Sequence, residues 1–257
     1  TAVSGSPKVR SATAEAGLAP PAPIRETPRL ILQITVDQLR ADALPRYRDR
    51  FSENGFRYLM DSGVWFKNAH HPQAHTVTVV GHTNLATGAT PSEHGMVGNE
   101  WFDAAAGKNV YNVRDASCGL IPDSEKGPGS SAAAIATETF SDALGDFTAF
   151  ASRRFAVSLK DRGAVPLAGH TGKAFWFSAS SGNFISSGCH YSRLPDWATA
   201  WNEKRNADAW RGKRWELQYE MLPYIFGAMD NQAWEADIDG FGITFPHPFP
   251  DELNGAY

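Results

Sequence analysis

Residues 29–37 read RLILQITVD, an apolar run bounded by Pro28 on one side and closed by an acidic residue on the other. A run so short and so continuously apolar suits a strand buried on both faces, as in a parallel sheet covered by helices. Asp37 then stands at the strand's carboxyl end. Downstream, residues 56–60 followed by Asp61, Ser62 and Gly63 predict a helix closing on Gly63, and VWFKNAH, 64–70, predicts the next strand. Residues 78–87 predict a helix stopped by Gly88, and 136–150 carries the helical spacing Phe140, Leu144, Phe147. RRFAVSLK, 153–160, predicts a strand ending at a lysine, while KAFWFSAS (173–180) and NFISSGCH (183–190), joined through Ser181 and Gly182, predict an antiparallel hairpin. From 196 on, five tryptophans stand among polar residues with weak periodicity, which predicts loops and short helices. Helices alternating with strands predict an α/β fold: a three-layer α/β/α sandwich with a mostly parallel sheet, whose ligands belong at the carboxyl ends of the strands.

Composition narrows the function. With 257 residues and 42% hydrophobic content, the chain can bury a substantial core. A net charge of −4 provides no global basic field, so no nucleic-acid partner and no charge-driven attraction to an anionic membrane is expected. No apolar run approaches the length of a membrane-spanning helix, so no transmembrane segment is expected. Residues 1–27 are rich in Ala, Pro and Ser without periodicity and predict a flexible N-terminal arm, consistent with an exported protein whose signal peptide has been removed; a periplasmic or secreted location follows. The two cysteines, Cys118 and Cys189, form no metal-binding spacing, leaving free thiols or a single disulfide.

The stretch HTVTVVGHTNLATG, 75–88, raises the chemical question. Taken alone, Thr78 reads as a helix cap. Yet the sheet rule brings Asp37, Thr78 and Lys160 to one edge, and a carboxylate beside a hydroxyl suggests a divalent metal that lowers the hydroxyl's pKa. Lys160 and Arg162, in SLKDRG, are suited to hold a tetrahedral anion, and HGMVGNEWFD, 94–103, offers Asn99 in a Gly-rich turn. There is no GxxxxGK[ST] loop, no GxGxxG after the first run and no HExxH.

VDQLRAD (36–42), TVTVVGHTNLATGATPSEHGMVGNEWFD (76–103) and SLKDRGAVPLAGH (158–170) together resemble the alkaline phosphatase superfamily, in its bacterial branch of PafA-like phosphate monoesterases. The resemblance implies hydrolysis of small-molecule phosphate monoesters through a phosphothreonine intermediate at a site of two Zn2+. It assigns Thr78 as nucleophile and zinc ligand, Asp37 as a ligand of the zinc that activates it, and Asn99, Lys160 and Arg162 as the groups binding the non-bridging phosphate oxygens. Phosphodiesterases and nucleotide pyrophosphatases of the superfamily share the elements at Thr78 and Asn99 but generally lack LKDR, and remain the alternative, with a non-catalytic phosphate-binding member beside it. The CxPSR and SxPSR motifs of sulfatases do not occur.

A complete two-zinc site of this kind also needs DxxGH and DH elements, which the chain does not contain. Residues 28–257 are therefore expected to be the N-terminal part of the catalytic domain, the remaining zinc ligands lying in a C-terminal half of the same protein. The chain alone is expected to bind zinc poorly and to be inactive. Its eight histidines are not expected to be ligands; His82 and His94 are expected to brace the helix and the turn.

Overall fold

The computed structural model describes residues 28–220, 224, 227–238 and 240–249. The expected arm, 1–27, lies outside the described residues. The chain divides into two units, Thr1–Val36 and Asp37–Tyr257. The described part of the first contains no regular element, and Leu30, Leu32 and Ile34 are largely exposed. The strand expected at 29–37 is thus not formed, nor is the one expected at 64–70, where Val64 and Phe66 are exposed. A strand exists only through its ladder, and none of the described strands pairs with either run.

Among the described residues of the second unit the α-helices are α1 (Ala43–Arg46), α2 (Phe56–Ser62), α3 (Thr78–Thr87), α4 (Pro91–His94), α5 (Phe140–Phe147), α6 (Asp161–Ala168) and α7 (Asp196–Glu203). Strands β1 (Glu100–Asp103) and β2 (Lys108–Tyr111) form a two-stranded antiparallel ribbon. Strands β3 (Arg114–Ile121), β4 (Pro128–Ser130), β5 (Phe155–Ser158), β6 (Lys173–Ser178) and β7 (Asn183–Ser187) form a five-stranded sheet in the order β4-β3-β7-β6-β5. A short pair, β8 (Arg214–Trp215) and β9 (His247–Pro248), lies in the Trp-rich region.

The α/β class holds, but the pairing in this portion is mixed rather than mostly parallel: β5–β6 is parallel, and β6–β7, β3–β7 and β3–β4 are antiparallel. Connection length explains it. A parallel pair needs a crossover of about a dozen residues, which α6 supplies between β5 and β6, whereas the turn after β6 is short and makes the expected hairpin. Strand β6 is covered on both faces, as its alternation requires. Ala174 and Trp176 pack with Val79 and Val80 of α3 and with Ala164, Val165 and Ala168 of α6, while Phe175 packs with Leu194 and with Ala198 of α7. Helix, sheet and helix therefore form three layers here.

Helix α3 has the expected bounds. Its stop is Gly88, at φ 68°, a left-handed conformation that glycine adopts without the cost of a Cβ. Helix α5 begins at a capping box in which Thr139 and Asp142 bond reciprocally. The Asp142 carboxylate also accepts the backbone N–H groups of His170 and Thr171, tying down the far end of α6. Burial works against ionising Asp142, but the donors from His170, Thr171 and Thr139 outweigh it and hold its carboxyl well below the usual range.

Cys118 on β3 and Cys189 just beyond β7 form a disulfide, with Cα atoms 5.7 Å apart and a sequence separation of 71. Cross-linking a loop of that size removes about 4 kcal/mol of chain entropy from the unfolded state. Replacing both cysteines by serine is therefore expected to lower stability by about that amount, read as a lower urea midpoint for the complete protein. An unchanged midpoint would show that the bond carries no stability. No helix among the described residues is long and apolar enough to cross a membrane.

Candidate active site

The three threonines of α3 behave differently. Thr83 and Thr87 donate to carbonyls one turn back, Val79 O and Thr83 O, each at 2.7 Å, and so stay within the helix. Thr78 is the first helical residue, after an N-cap at Val77. Its hydroxyl does not cap the helix; it leaves it, donating to Asp37 Oδ2 at 3.1 Å. The amide of Val79 is instead accepted by Asn99 Oδ1 at 3.3 Å. With its oxygen so used, the Asn99 side chain has its NH2 donors left for a ligand. Asn99 is pinned through its carbonyl, which accepts both the backbone and the side-chain amide of buried Asn112.

Lys160 and Arg162 flank the start of α6. Lys160 is its N-cap residue and is exposed; Arg162 is half-buried in the first turn. Arg162 Nη1 donates to the Tyr111 hydroxyl at 3.2 Å. Tyr111 in turn donates to Asp161 Oδ1 at 2.6 Å, and Ser130 donates to Asp161 Oδ2 at 2.8 Å. Burial, then the bond to Asp161, pushes the Tyr111 phenol up to about 12.

Helices α3 and α6 pack against each other. A Cβ on Gly163 would lie 2.4 Å from Ser158 Oγ, so glycine lets α6 lie close against the end of β5, and 3.8 Å from His82 Nε2 of α3, an ordinary packing contact. His82 sits one turn into α3, its Nδ1 2.8 Å from the Thr78 carbonyl oxygen, and Gly163 directly follows Arg162. Asn99 thus reaches the start of α3, and Lys160 and Arg162 stand at the start of α6, each start carrying the positive end of a helix dipole, which favours an anion.

The expected bracing roles hold for His82 and for His94. His94 is buried, with Nε2 2.7 Å from Asn84 Oδ1 and Nδ1 accepting the Met96 amide, and burial lowers its pKa. Among the described residues, the group of three or more potential ligands close enough to share a metal is Asp115, Cys118 and Cys189, and its sulfurs are joined as the disulfide. Asp37 and Thr78 remain as a pair of hard oxygen donors. Their 3.1 Å separation suits adjacent ligands of one cation with bonds of about 2 Å.

From residue 31 to residue 231 the sequence matches the family described as Type I phosphodiesterase / nucleotide pyrophosphatase. The chain belongs to this family, within the alkaline phosphatase superfamily. Alkaline phosphatase PafA of Elizabethkingia meningoseptica is 36% identical over 224 residues, which is 86% of this chain and 41% of that protein. Alkaline phosphatase PhoV of Synechococcus elongatus is 33% identical over 90% of this chain and 42% of its own length. The crystal structure of wild-type PafA matches with a TM-score of 0.76 at 33% identity, covering 82% of this chain and 41% of that one. A PafA mutant structure, with a threonine changed to serine and an asparagine, a lysine and an arginine changed to alanine, matches with a TM-score of 0.77. The chain spans about 41% of the length of PafA, and its fold is that of the superfamily.

Sequence reasoning did not find Tyr111, Ser130 or Asp161. Asp161 lies inside the SLKDRG motif and was within reach of it. Tyr111 is 51 residues before Arg162, at the end of β2, with no local signal.

Proposed function

We propose that the protein containing this chain hydrolyses phosphate monoesters, with Thr78 as the nucleophile. The carrying observation is that the Thr78 hydroxyl turns out of its helix to donate to Asp37, instead of capping, at the N-terminus of α3. Its proton is already aimed at a carboxylate oxygen. The Thr78 oxygen forms the new bond to phosphorus as the bond to the leaving alkoxide breaks, and water then hydrolyses the phosphothreonine to free phosphate. Asn99, Lys160 and Arg162 hold the non-bridging oxygens and offset their charge, as a loose phosphoryl transition state requires. Support comes from the PafA mutant, whose altered residue kinds, Thr, Asn, Lys and Arg, are those of this set in the same order.

Asp37 and Thr78 would hold one of two Zn2+. When bound, zinc supplies Lewis acidity that lowers the hydroxyl's pKa. The remaining ligands come, in this proposal, from a C-terminal half of the same protein. Export to the periplasm or beyond fits the disulfide, since such bonds persist in oxidising compartments.

The family's description favours a second reading, a phosphodiesterase. A monoester dianion carries one more unesterified oxygen than a diester, and the two cations at the start of α6 suit the monoester. The test is kcat/KM of the complete protein on p-nitrophenyl phosphate against bis-p-nitrophenyl phosphate, with EDTA and zinc add-back. A strong monoester preference, lost with EDTA and restored by zinc, is expected. A diester preference would establish the second reading, and indifference to chelator would remove the metal.

A further inference from the structure

Arg162 is useful to an anion only if its guanidinium is both oriented and left positively charged. The adjacent carboxylate, Asp161, is the obvious competitor for it. The structure keeps them apart: Asp161 is served by the hydroxyls of Tyr111 and Ser130 and by the backbone N–H of Arg162 at 2.8 Å, while the guanidinium donates to the Tyr111 oxygen. Among the described residues this is the hydrogen bond that fixes the guanidinium, since Arg162 Nε is buried without a partner.

Resting on the proposed function, we infer that Tyr111 is a positioning residue: its hydroxyl holds Arg162 by a neutral oxygen and screens it from Asp161, leaving the full charge for substrate phosphate. A neutral oxygen orients a cation without neutralising it, which a carboxylate in its place would not do. Tyr111 is itself held in the ribbon, paired with Glu100 across from it. Asn99 directly precedes Glu100 and reaches the start of α3, so one ribbon sets both Asn99 and, through Tyr111, Arg162. Burial, then the bond to Asp161, pushes the phenol up to about 12, which favours the neutral hydroxyl over an anion that would pair with Arg162.

The test is a double-mutant cycle in the complete zinc-loaded protein. Tyr111→Phe is expected to lower kcat/KM for p-nitrophenyl phosphate by roughly tenfold or more, the scale of one hydrogen bond to a charged group. It should lower bis-p-nitrophenyl phosphate turnover less, and weaken inhibition by inorganic phosphate. In an Arg162→Ala background the same change should cost nothing further, because the tyrosine acts through the arginine. Equal losses on both substrates, or an undiminished loss without Arg162, would overturn the inference and leave Tyr111 a packing residue. So would a loss in Arg162→Ala with none in Tyr111→Phe, and either result leaves the proposed function standing. Absence of monoester turnover in the wild type would instead overturn the proposed function, and this inference with it.

Discussion

Thr78→Ala in the complete protein is expected to reduce phosphomonoester turnover by about 10³-fold or more, the scale on which removal of a covalent nucleophile acts. The expectation rests on what the hydroxyl does not do. A capping threonine lost to alanine costs about 1 kcal/mol of stability and leaves chemistry intact. Thr78 caps nothing: its N-cap neighbour is Val77, and the Val79 amide is satisfied by Asn99. Losing the hydroxyl therefore removes a bond to Asp37 at the rim of the fold and little packing, since the side chain is only half-buried. Activity and stability should separate, with the first collapsing while the urea midpoint moves little. Thr78→Ser keeps the oxygen and loses a methyl, so it should retain part of the rate. Near-wild-type turnover in Thr78→Ala would assign the nucleophile elsewhere.

The parts of this structure legible in the sequence are those set by near neighbours. Helix α3 could be bounded because its start and its Gly88 stop are local, and the β6–β7 hairpin because a short turn leaves no other geometry. The strands expected at 29–37 and 64–70 failed because an apolar run specifies burial and not a ladder, and ladder partners are non-local. Direction was legible only where a connection is short: the turn after β6 makes β6–β7 antiparallel, whereas nothing local in the sequence pairs β3 with β7, and the mostly parallel order expected there is not found. Asp37 illustrates the split. It was placed by a strand that is not there, yet it lies against Thr78 across 41 residues of sequence. The motif carried the juxtaposition where the secondary structure did not. Tyr111 was invisible because an unremarkable tyrosine on a short ribbon acquires its meaning only from what the ribbon is packed beside.

Lys160→Ala combined with Arg162→Ala is expected to lower monoester kcat/KM by about 10³-fold, since each charged donor to a transferring phosphoryl group contributes on the order of 10²-fold and donors acting on one group are not additive. Diester turnover should fall distinctly less. The asymmetry follows from charge: the dianionic monoester places an additional unesterified oxygen where the α6 start presents two cations, and the diester has none to put there. The two residues are not equivalent. Exposed Lys160 is a point charge on a long stem, whereas Arg162 is held by Tyr111 and carries a planar guanidinium. Arg162→Lys should therefore recover less than its retained charge suggests, while Lys160→Arg should be tolerated better. Measuring both substrates across the single and double variants separates the cases. Equal losses on the two esters would mean that the α6 start provides general anion attraction rather than recognition of the third oxygen, and the monoester assignment would lose its physical basis.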